Sequence, residues 1–185
     1  MTDHTFDPAS ADKLEDVERY RYLSRDELIG ALTLDGTESV VDLGSGTGFY
    51  TREVAPYADR VWAVDVQPRM HQEFRSIGVP DTVTLVAAGV ADTPFDASSI
   101  DAAYSTMTFH EFVSDASLAE IRRILRPGAR FVVADWSVEG TGERGPPLDA
   151  RFGPSDAADR IEAAGFEVRR ADGRPETFVV VATAP

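Results

Sequence analysis

The chain has 185 residues, no cysteine and a formal net charge of -14. This length suits one domain with one hydrophobic core, residues 1–185, and the lack of cysteine excludes disulfides, thiolate metal sites and cysteine nucleophiles. The acidic balance argues against long nucleic acid as a partner, because that affinity depends on neutralising phosphates with lysine and arginine.

The start of the chain is polar and acidic, and no apolar run approaches the roughly 18 residues that suggest a membrane span. We therefore expect no signal peptide, no membrane partner and a cytoplasmic location. No group of His, Asp or Glu residues has metal-ligand spacing, so no metal site is predicted. Both a monomer and a homodimer are compatible with the sequence.

Strand-like and helix-like segments alternate along the chain. In chain order they are a polar helix or ordered arm over 11–22, a helix from a Ser24–Glu27 capping box to about 32, a strand over 39–43, a helix over 48–57, a strand over 60–65, a helix over 68–77, strands over 83–87 and 100–105, a helix over 116–125, a strand over 129–134, a helix over 155–165, and strands over 166–170 and 178–183. This alternation predicts an α/β fold with a doubly wound, mostly parallel sheet of seven strands and helices on both faces. Only residues 171–176 separate the last two strands, too few for a parallel crossover, so the last strand should run antiparallel.

Residues 40–51 read Val-Val-Asp-Leu-Gly-Ser-Gly-Thr-Gly-Phe-Tyr-Thr, a buried strand that runs into a glycine-rich turn and then a helix. Glycine lets a nucleoside-bearing cofactor approach the backbone, because no Cβ stands in the way. The Asp-x-Gly-x-Gly-x-Gly spacing from Asp42 to Gly48 differs from the Gly-x-Gly-x-x-Gly spacing of dinucleotide-binding enzymes. The acidic residue before the turn suits a cofactor that carries an ammonium group.

A second carboxylate, Asp65, ends the apolar segment 60–65. It follows Gly44 by about 20 residues, the separation at which a carboxylate accepts hydrogen bonds from ribose hydroxyls in nucleotide-binding units. The alternative is a solvated aspartate at a strand end.

These features resemble the class I S-adenosylmethionine-dependent methyltransferases, above all the small enzymes grouped with ubiquinone and menaquinone biosynthesis. The resemblance extends over about residues 5–184 and includes Pro94-Phe95, which matches the end of the family's Leu-Pro-Phe stretch. It implies a Rossmann-like sheet with one reversed strand near its edge and S-adenosyl-L-methionine as cofactor. It also implies methyl transfer by in-line displacement, here to a small-molecule acceptor.

The resemblance implies a cofactor site at the carboxyl ends of the strands. One departure is Gly89, where relatives commonly carry an aspartate that binds the adenine amino group. Adenine would then be held by backbone groups near Val90, or Asp92 could reach in, unless Asp92 only caps a turn. Backbone carbonyls at Ser105 or Thr106 would suit the cofactor ammonium. The expected cofactor-binding residues are Asp42, Gly44, Ser45, Gly46, Gly48, Asp65, Val66, Gly89, Val90 and Ser105.

Two residues near the strand ends are candidate catalytic residues, His110 and Asp135. His110 could take a proton from an attacking oxygen or nitrogen, or it could position a helix end. Asp135 and the adjacent Trp136 could grip a polar or cationic acceptor. Alternatively, Asp135 caps a loop and Trp136 belongs to the core.

Residues 138–154 form a Gly/Pro-rich segment that is long for a loop in a compact domain. We expect this active-site loop and the N-terminal arm, residues 1–23, to close over the substrate. The expected substrate contacts, besides Trp136, are Tyr20 and Tyr22 in the arm and, as anion contacts, Arg144 and Arg151 in the loop.

Two other functions are compatible with the sequence. A regulatory or interaction module that binds S-adenosylmethionine without transferring its methyl group would keep the same turn, and Gly89 is consistent with it. A nicotinamide-dependent oxidoreductase would also use Asp65. Its glycine spacing would differ, however, and the chain has no Tyr-x-x-x-Lys, because its sole lysine is Lys13 in the arm.

The composition also predicts a dependence on salt. Of the 18 basic residues only Lys13 is a lysine, and an acidic, lysine-poor surface is expected in a halophilic protein. Self-repulsion of that surface should weaken the fold at low salt. We expect the thermal unfolding midpoint to rise by several degrees from about 0.1 M to about 2 M potassium chloride, since 1 kcal/mol of relieved repulsion corresponds to about 2–4 °C at this length. Equal midpoints in both salts would contradict a halophilic source.

Overall fold

The computed structural model describes residues 13–185, which form a seven-stranded sheet with helices on both faces. The predicted arm over 1–23 and the predicted helix over 11–22 therefore lie partly outside the described residues. The strands are β1 Ser39–Leu43, β2 Arg60–Asp65, β3 Val83–Ala87, β4 Ile100–Thr106, β5 Leu125–Trp136, β6 Glu167–Gly173 and β7 Thr177–Thr183. The α-helices are α1 Arg25–Leu32, α2 Phe49–Val54, α3 Pro68–Ile77, α4 Phe109–Phe112, α5 Asp115–Ile124 and α6 Pro154–Ala163. Short 3-10 helices span Val17–Arg21, Ala55–Tyr57 and Leu148–Ala150.

The strand order in the sheet is β3-β2-β1-β4-β5-β7-β6. Neighbouring strands from β3 to β5 pair in parallel, whereas β7 is antiparallel to both β5 and β6. The predicted mostly parallel sheet with an antiparallel last strand is therefore confirmed. The order reverses between β1 and β4, and ligands of open α/β sheets bind at such a point, outside the carboxyl ends of the strands.

Two apolar layers cover the sheet, because successive residues of a strand point to opposite faces. Val40 packs in the layer formed with α1, α2 and α3, while Val41 packs in the layer formed with α4, α5 and α6. Burial of such a side chain stabilises the fold by roughly 1.5–3 kcal/mol. None of the helices within residues 13–185 is long and apolar enough to cross a membrane.

Two predicted helices differ from the observed ones. The helix predicted over 48–57 is α2 followed by the 3-10 turn Ala55–Tyr57, because Pro56 lacks the N–H that would continue the α-helical hydrogen bonds. The segment predicted as a polar helix or ordered arm contains, in its described part, the 3-10 helix Val17–Arg21.

The predicted capping box of α1 forms only in part. Ser24 Oγ accepts a hydrogen bond from the N–H of Glu27, as predicted. The Glu27 carboxylate does not reach back to Ser24 but pairs with Arg174, in the turn before β7. This ion pair fixes α1 against the antiparallel end of the sheet.

Strand β5 is longer at both ends than the predicted 129–134. Leu125 pairs with Ile100 before a register shift, so the Pro-Gly that was expected to separate a helix from a strand lies within an irregular part of β5. At the other end, Asp135 and Trp136 pair with β7 and complete the strand. Both side chains are therefore held by the sheet rather than by a loop.

The glycine turn, residues 44–48, joins β1 to α2 with φ values of 78, 54 and 81° at Gly44, Gly46 and Gly48. A Cβ on Gly48 would lie 2.1 Å from the ring of Phe74 in α3, and a Cβ on Gly44 would lie 2.4 Å from the side chain of Thr108 after β4. The turn fits between α3 and the end of β4 only because these positions carry no side chain.

We expect Gly48→Ala to destabilise the fold by at least about 2 kcal/mol, because it combines a left-handed backbone with a clash against a buried ring. Gly30→Ala is the matched control. Gly30 lies inside α1 with no heavy atom within 4 Å of its added Cβ, so this change should be neutral or stabilising by up to about 1 kcal/mol. Urea unfolding measures both, and equal midpoints for the two variants would contradict the packing described for the turn.

Candidate functional site

A cavity of about 750 Å³ opens at the carboxyl ends of the parallel strands, where the strand order reverses. Its wall combines the glycine turn, the end of β2, the segment after β3, the start of α4, the loop after β5 and the arm. The predicted site residues that line it are Gly44, Ser45, Gly46, Asp65, Val66, Gly89, Val90, His110, Trp136, Arg144 and Tyr22. Those outside its lining are Asp42, Gly48, Ser105, Asp135, Tyr20 and Arg151.

The carboxylate of Asp65 is fixed at the mouth of the glycine turn. Its Oδ2 accepts a hydrogen bond from the N–H of Gly46 at 2.8 Å, and its Oδ1 accepts one from the N–H of Gln67 at 2.8 Å. Burial raises the pKa of Asp65, against the lowering effect of these two hydrogen bonds. Each oxygen keeps a lone pair for a further donor, so the group is suited to bind hydroxyls.

Asp42 lies behind the turn and is 1% exposed. Its Oδ2 accepts hydrogen bonds from the hydroxyls of Thr51 at 2.6 Å and Tyr104 at 3.0 Å, whereas its buried Oδ1 has no hydrogen-bond partner among the described residues. Burial raises the pKa of Asp42 to about 7, although the two hydrogen bonds lower it. A cation beside Oδ1 would stabilise the ionised form.

Two hydroxyls near this wall are also buried without a partner within residues 13–185, Ser45 Oγ and Ser105 Oγ. Buried polar atoms are nearly always hydrogen-bonded in proteins, so such a group needs an explanation. Ser45 lines the cavity, with Asp42 and Ser105 behind the lining, so a polar ligand at this wall would supply a partner to Ser45 and a charge beside Asp42. Together with the side-chain-free turn, this wall fits a cofactor with an amino-acid end and a nucleoside end.

His110 and Asp135, which the sequence suggests separately, form one hydrogen-bonded pair. The Asp135 carboxylate accepts from the backbone N–H of His110 at 2.7 Å, and His110 Nδ1 lies 2.9 Å from Oδ2. The carboxylate, 1% exposed, also accepts from the N–H of Trp136 at 2.7 Å. An ionised carboxylate can only accept, so Nδ1 carries the proton and Nε2 of the neutral ring has the free lone pair.

The environment of His110 favours its protonated form. Burial lowers the pKa of the ring, but the hydrogen bond and charge of Asp135 and the charge of Glu111 outweigh it and raise the pKa above its usual value. Nε2 lies 3.8 Å from Glu111 Oε1. The pair is thus a stronger proton acceptor than an isolated histidine.

Six residues of the arm line the cavity wall: Lys13, Leu14, Asp16, Glu18, Arg19 and Tyr22. Arg19 and Tyr22 are three residues apart, and residues i and i+3 of a 3-10 conformation lie above each other. Tyr20 does not line the cavity. Its hydroxyl donates to Glu53 at 2.7 Å, away from the cavity.

Tyr22 and Trp136 pack together on the wall with ring centroids 4.8 Å apart. Of the two arm tyrosines that the sequence suggests, Tyr22 therefore lines the cavity and Tyr20 does not, and Trp136 is a cavity residue rather than a core residue. This contact joins the arm to the end of β5.

Arg151 braces the active-site loop instead of facing the cavity. It is 6% exposed and donates to the carbonyls of Pro146 at 2.8 Å, Ser137 at 3.2 Å and Arg144. The guanidinium of Arg151 thus satisfies three backbone carbonyls. Arg144 does line the cavity, and it pairs with Glu18 of the arm at 3.3 Å.

Sequence reasoning did not single out Met107 or the arm residues other than Tyr22 that line the cavity, which are Lys13, Leu14, Asp16, Glu18 and Arg19. Met107 has a φ of 60°, unusual for a residue with a side chain, and lines the cavity after β4. The arm contacts are long-range: Leu14 approaches Gly46, and Glu15 accepts from Thr47 Oγ1 at 2.5 Å. No local sequence signal reports such contacts.

Comparison with known proteins agrees with this geometry. A family model described as a methyltransferase domain matches residues 41–133, half of the chain. The chain belongs to this family, the class I S-adenosylmethionine-dependent methyltransferases, as the sequence predicted. S-adenosylmethionine is accordingly its cofactor.

Individual relatives match to different extents. The crystal structure of a SAM dependent methyltransferase from Aquifex aeolicus superposes with a TM-score of 0.89 at 25% identity, covering 98% of this chain and 100% of that chain. A sterol 4-C-methyltransferase of Caenorhabditis elegans is 28% identical over 56% of this chain and 33% of its own length. A demethylmenaquinone methyltransferase of Clavibacter sepedonicus is 32% identical over 54% of this chain and 42% of its own length. The matches thus span less than half of these two curated relatives.

We expect Asp135→Asn to lower the pKa of His110, because the burial that lowers it remains while the charge of Asp135 that raises it is lost. The pH titration of the imidazole C2–H by NMR measures this. His71, whose pKa is lowered by its own burial, is the internal control and should not change.

The same variant should lose stability mainly at acidic pH. A His110 pKa raised in the folded state stabilises the fold fully below the unfolded value of about 6.5, and this contribution is lost as pH rises through the folded pKa. An unchanged His110 pKa in Asp135→Asn would contradict the pairing.

Proposed function

We propose that this chain transfers the methyl group of S-adenosylmethionine to a small-molecule acceptor by in-line displacement. The observation that carries the proposal is a single cavity in which the glycine turn, the Asp65 carboxylate and the His110–Asp135 pair meet. When bound, the cofactor supplies an electrophilic methyl group on a sulfonium. The names of two relatives, a sterol 4-C-methyltransferase and a demethylmenaquinone methyltransferase, support a small acceptor.

We assign the nucleoside end of the cofactor to the glycine turn and the ends of β2 and β3. Asp65 accepts from the ribose hydroxyls, with Val66 beside it. Backbone groups of Gly89 and Val90 hold adenine. Asp92 is exposed, and its N–H closes a turn onto the carbonyl of Gly89 at 3.1 Å, which supports a turn-capping role rather than contact with adenine.

The amino-acid end of the cofactor belongs at the unpartnered polar wall. The cofactor ammonium lies towards Asp42, whose free Oδ1 supports this. Ser45 and Ser105 supply hydroxyls, and Gly44, Gly46 and Gly48 keep the backbone accessible. An ammonium in this position also gives a reason for the acidic residue, Asp42, before the turn.

His110 holds the proton that an acceptor releases. Its Nε2 accepts that proton, and the resulting imidazolium is stabilised by Asp135, which acts as a positioning residue that fixes the ring and its tautomer. The acceptor is therefore one that loses a proton on methylation, such as a hydroxyl or an amine.

The acceptor itself is enclosed by the arm and the active-site loop. Tyr22 and Trp136 give a flat apolar wall, and Arg144 with Glu18 connects the two covering segments. Arg151 acts on the acceptor only indirectly, by holding the loop. We accordingly propose one methyltransferase domain over residues 1–185, with residues 1–23 and 138–154 as its covers.

The proposal is tested by calorimetry in high salt. We expect S-adenosylmethionine and S-adenosylhomocysteine to bind at about micromolar affinity and NADH and NADPH not to bind. Asp65→Ala should weaken binding at least about 10-fold, because it removes a charged hydrogen-bond acceptor worth about 1.5–3 kcal/mol.

Asp81→Ala is the matched control, since it makes the same charge change at an exposed residue before β3. Circular dichroism checks that each variant is folded. A folded wild-type chain that binds neither adenosyl ligand would refute the proposed function.

A further inference from the structure

Arg19 is a cation on the cavity wall with no ion-pair partner among residues 13–185. It belongs to the 3-10 helix Val17–Arg21 and lines the cavity together with the glycine turn. Its Nη1 donates to the carbonyl of Leu14 at 3.1 Å, and its Cζ lies 5.2 Å from the ring centroids of both Phe49 and Tyr50. The two rings and the carbonyl orient the guanidinium but leave most of its five N–H donors available.

The carboxylates that influence Arg19 are engaged with other groups. Glu15 binds Thr47 and Arg52, and Asp42 accepts from Thr51 and Tyr104. Burial lowers the pKa of Arg19, while Tyr50 and the charges of Glu15 and Asp42 oppose that effect. Arginine nonetheless stays protonated in proteins. A partly desolvated positive charge without a counter-ion is unfavourable, so an anion entering the cavity would be bound there.

We propose that Arg19 binds the carboxylate at the amino-acid end of S-adenosylmethionine and S-adenosylhomocysteine. This inference rests on the proposed function. The amino-acid end carries an ammonium and a carboxylate. Arg19 on the cavity wall offers a positive charge to the carboxylate, and the buried Asp42 behind the turn offers a negative charge towards the ammonium.

The position of Arg19 favours the cofactor over an anionic acceptor as its ligand. Phe49 and Tyr50, whose rings both contact the guanidinium, are the first two residues of α2, directly after the glycine turn. Leu14, whose carbonyl receives its hydrogen bond, also covers Gly46: a Cβ on this glycine would lie 3.3 Å from Leu14 Cδ1. Arg19 is thus fixed to the half of the cavity formed by β1 and α2, whereas His110 and Trp136 belong to the half formed at β4 and β5.

One consequence is that the arm takes part in cofactor binding. The guanidinium comes from outside the sheet, and the arm reaches the turn through Glu15 and Thr47. A ligand carboxylate on Arg19 therefore adds an attractive contact that exists only while the arm is docked. Cofactor binding and arm docking should stabilise each other.

The test compares two ligands that differ only in the carboxylate. Calorimetry with the full 185-residue chain measures S-adenosylhomocysteine and its decarboxylated analogue, which keeps the ammonium and the nucleoside. Wild-type protein should bind S-adenosylhomocysteine at least about 10-fold more tightly than the analogue. Arg19→Met should remove this preference, weakening S-adenosylhomocysteine about 10-fold and the analogue less than about 2-fold, where 10-fold equals about 1.4 kcal/mol.

Arg21→Met is the matched control, because Arg21 belongs to the same 3-10 helix and its side chain is 74% exposed. It should leave both affinities unchanged, and Arg19→Lys, which keeps the charge, should restore part of the preference. Equal weakening of both ligands by Arg19→Met would overturn the inference in favour of a structural role in the arm. Unchanged S-adenosylhomocysteine affinity would overturn it as well, in favour of an acceptor anion. Failure of both ligands to bind folded wild-type protein would instead overturn the proposed function and this inference with it.

Discussion

The close passage of the glycine turn between α3 and the end of β4 is the constraint on which the site depends. Phe74 and Thr108 approach the turn to distances that no side chain at Gly48 or Gly44 would allow. Because the turn lies so close, its amides reach the neighbouring strand: Gly44 and Ser45 both donate to the carbonyl of Val64. That contact aligns the end of β2 with the turn and brings the Asp65 carboxylate to the N–H of Gly46. The close packing of the turn backbone thus brings together two ligand-binding groups that are distant in sequence, the glycine turn and the Asp65 carboxylate.

The other half of the cavity depends on a different coupling. Asp135 belongs to β5, and it accepts hydrogen bonds from both the backbone and the ring of His110 at the start of α4. The short helix α4 has few hydrogen bonds of its own, so this carboxylate holds its first turn and the ring together. The same buried carboxylate, Asp135, therefore both positions the His110 ring and stabilises its protonated form. Loss of its charge would affect the pKa of His110 before it affects the fold around the cofactor.

Local patterns predicted much of this arrangement. The strand that ends at Asp42, the glycine turn and Asp65 were all readable from periodicity and spacing, since each depends on neighbours close in sequence. His110 and Asp135 were predicted separately, because parallel strands bring their carboxyl ends to one edge. Their hydrogen bond was not predictable. It depends on the register of β4 against β5, in which Thr106 pairs with Ala134, and on the irregularity that precedes this register.

The arm was less predictable because its conformation is set by what it packs against. Predicted only as a polar helix or ordered arm, it offered Tyr20 and Tyr22 equally as substrate contacts. In the 3-10 conformation, Arg19 and Tyr22 share one face, while Tyr20 turns to Glu53. Arg151 illustrates the same difficulty, since a loop arginine suggests an anion contact until the unsatisfied carbonyls around it are known.

Charge is distributed differently at the surface and in the site. The chain as a whole carries a large excess of carboxylates, and salt screens such exposed charges within a Debye length of about 3 Å at 1 M. The charges of the site are short-range and partly buried: Glu15 contacts Arg52 at 2.5 Å, and His110 contacts Asp135 at 2.9 Å. Screening by salt is much weaker for buried pairs than for exposed ones. High salt can therefore relieve the surface repulsion while leaving the His110–Asp135 pair and the Glu15–Arg52 contact of the arm intact. An acidic surface that needs salt is thus compatible, in one chain, with a site that depends on ion pairs.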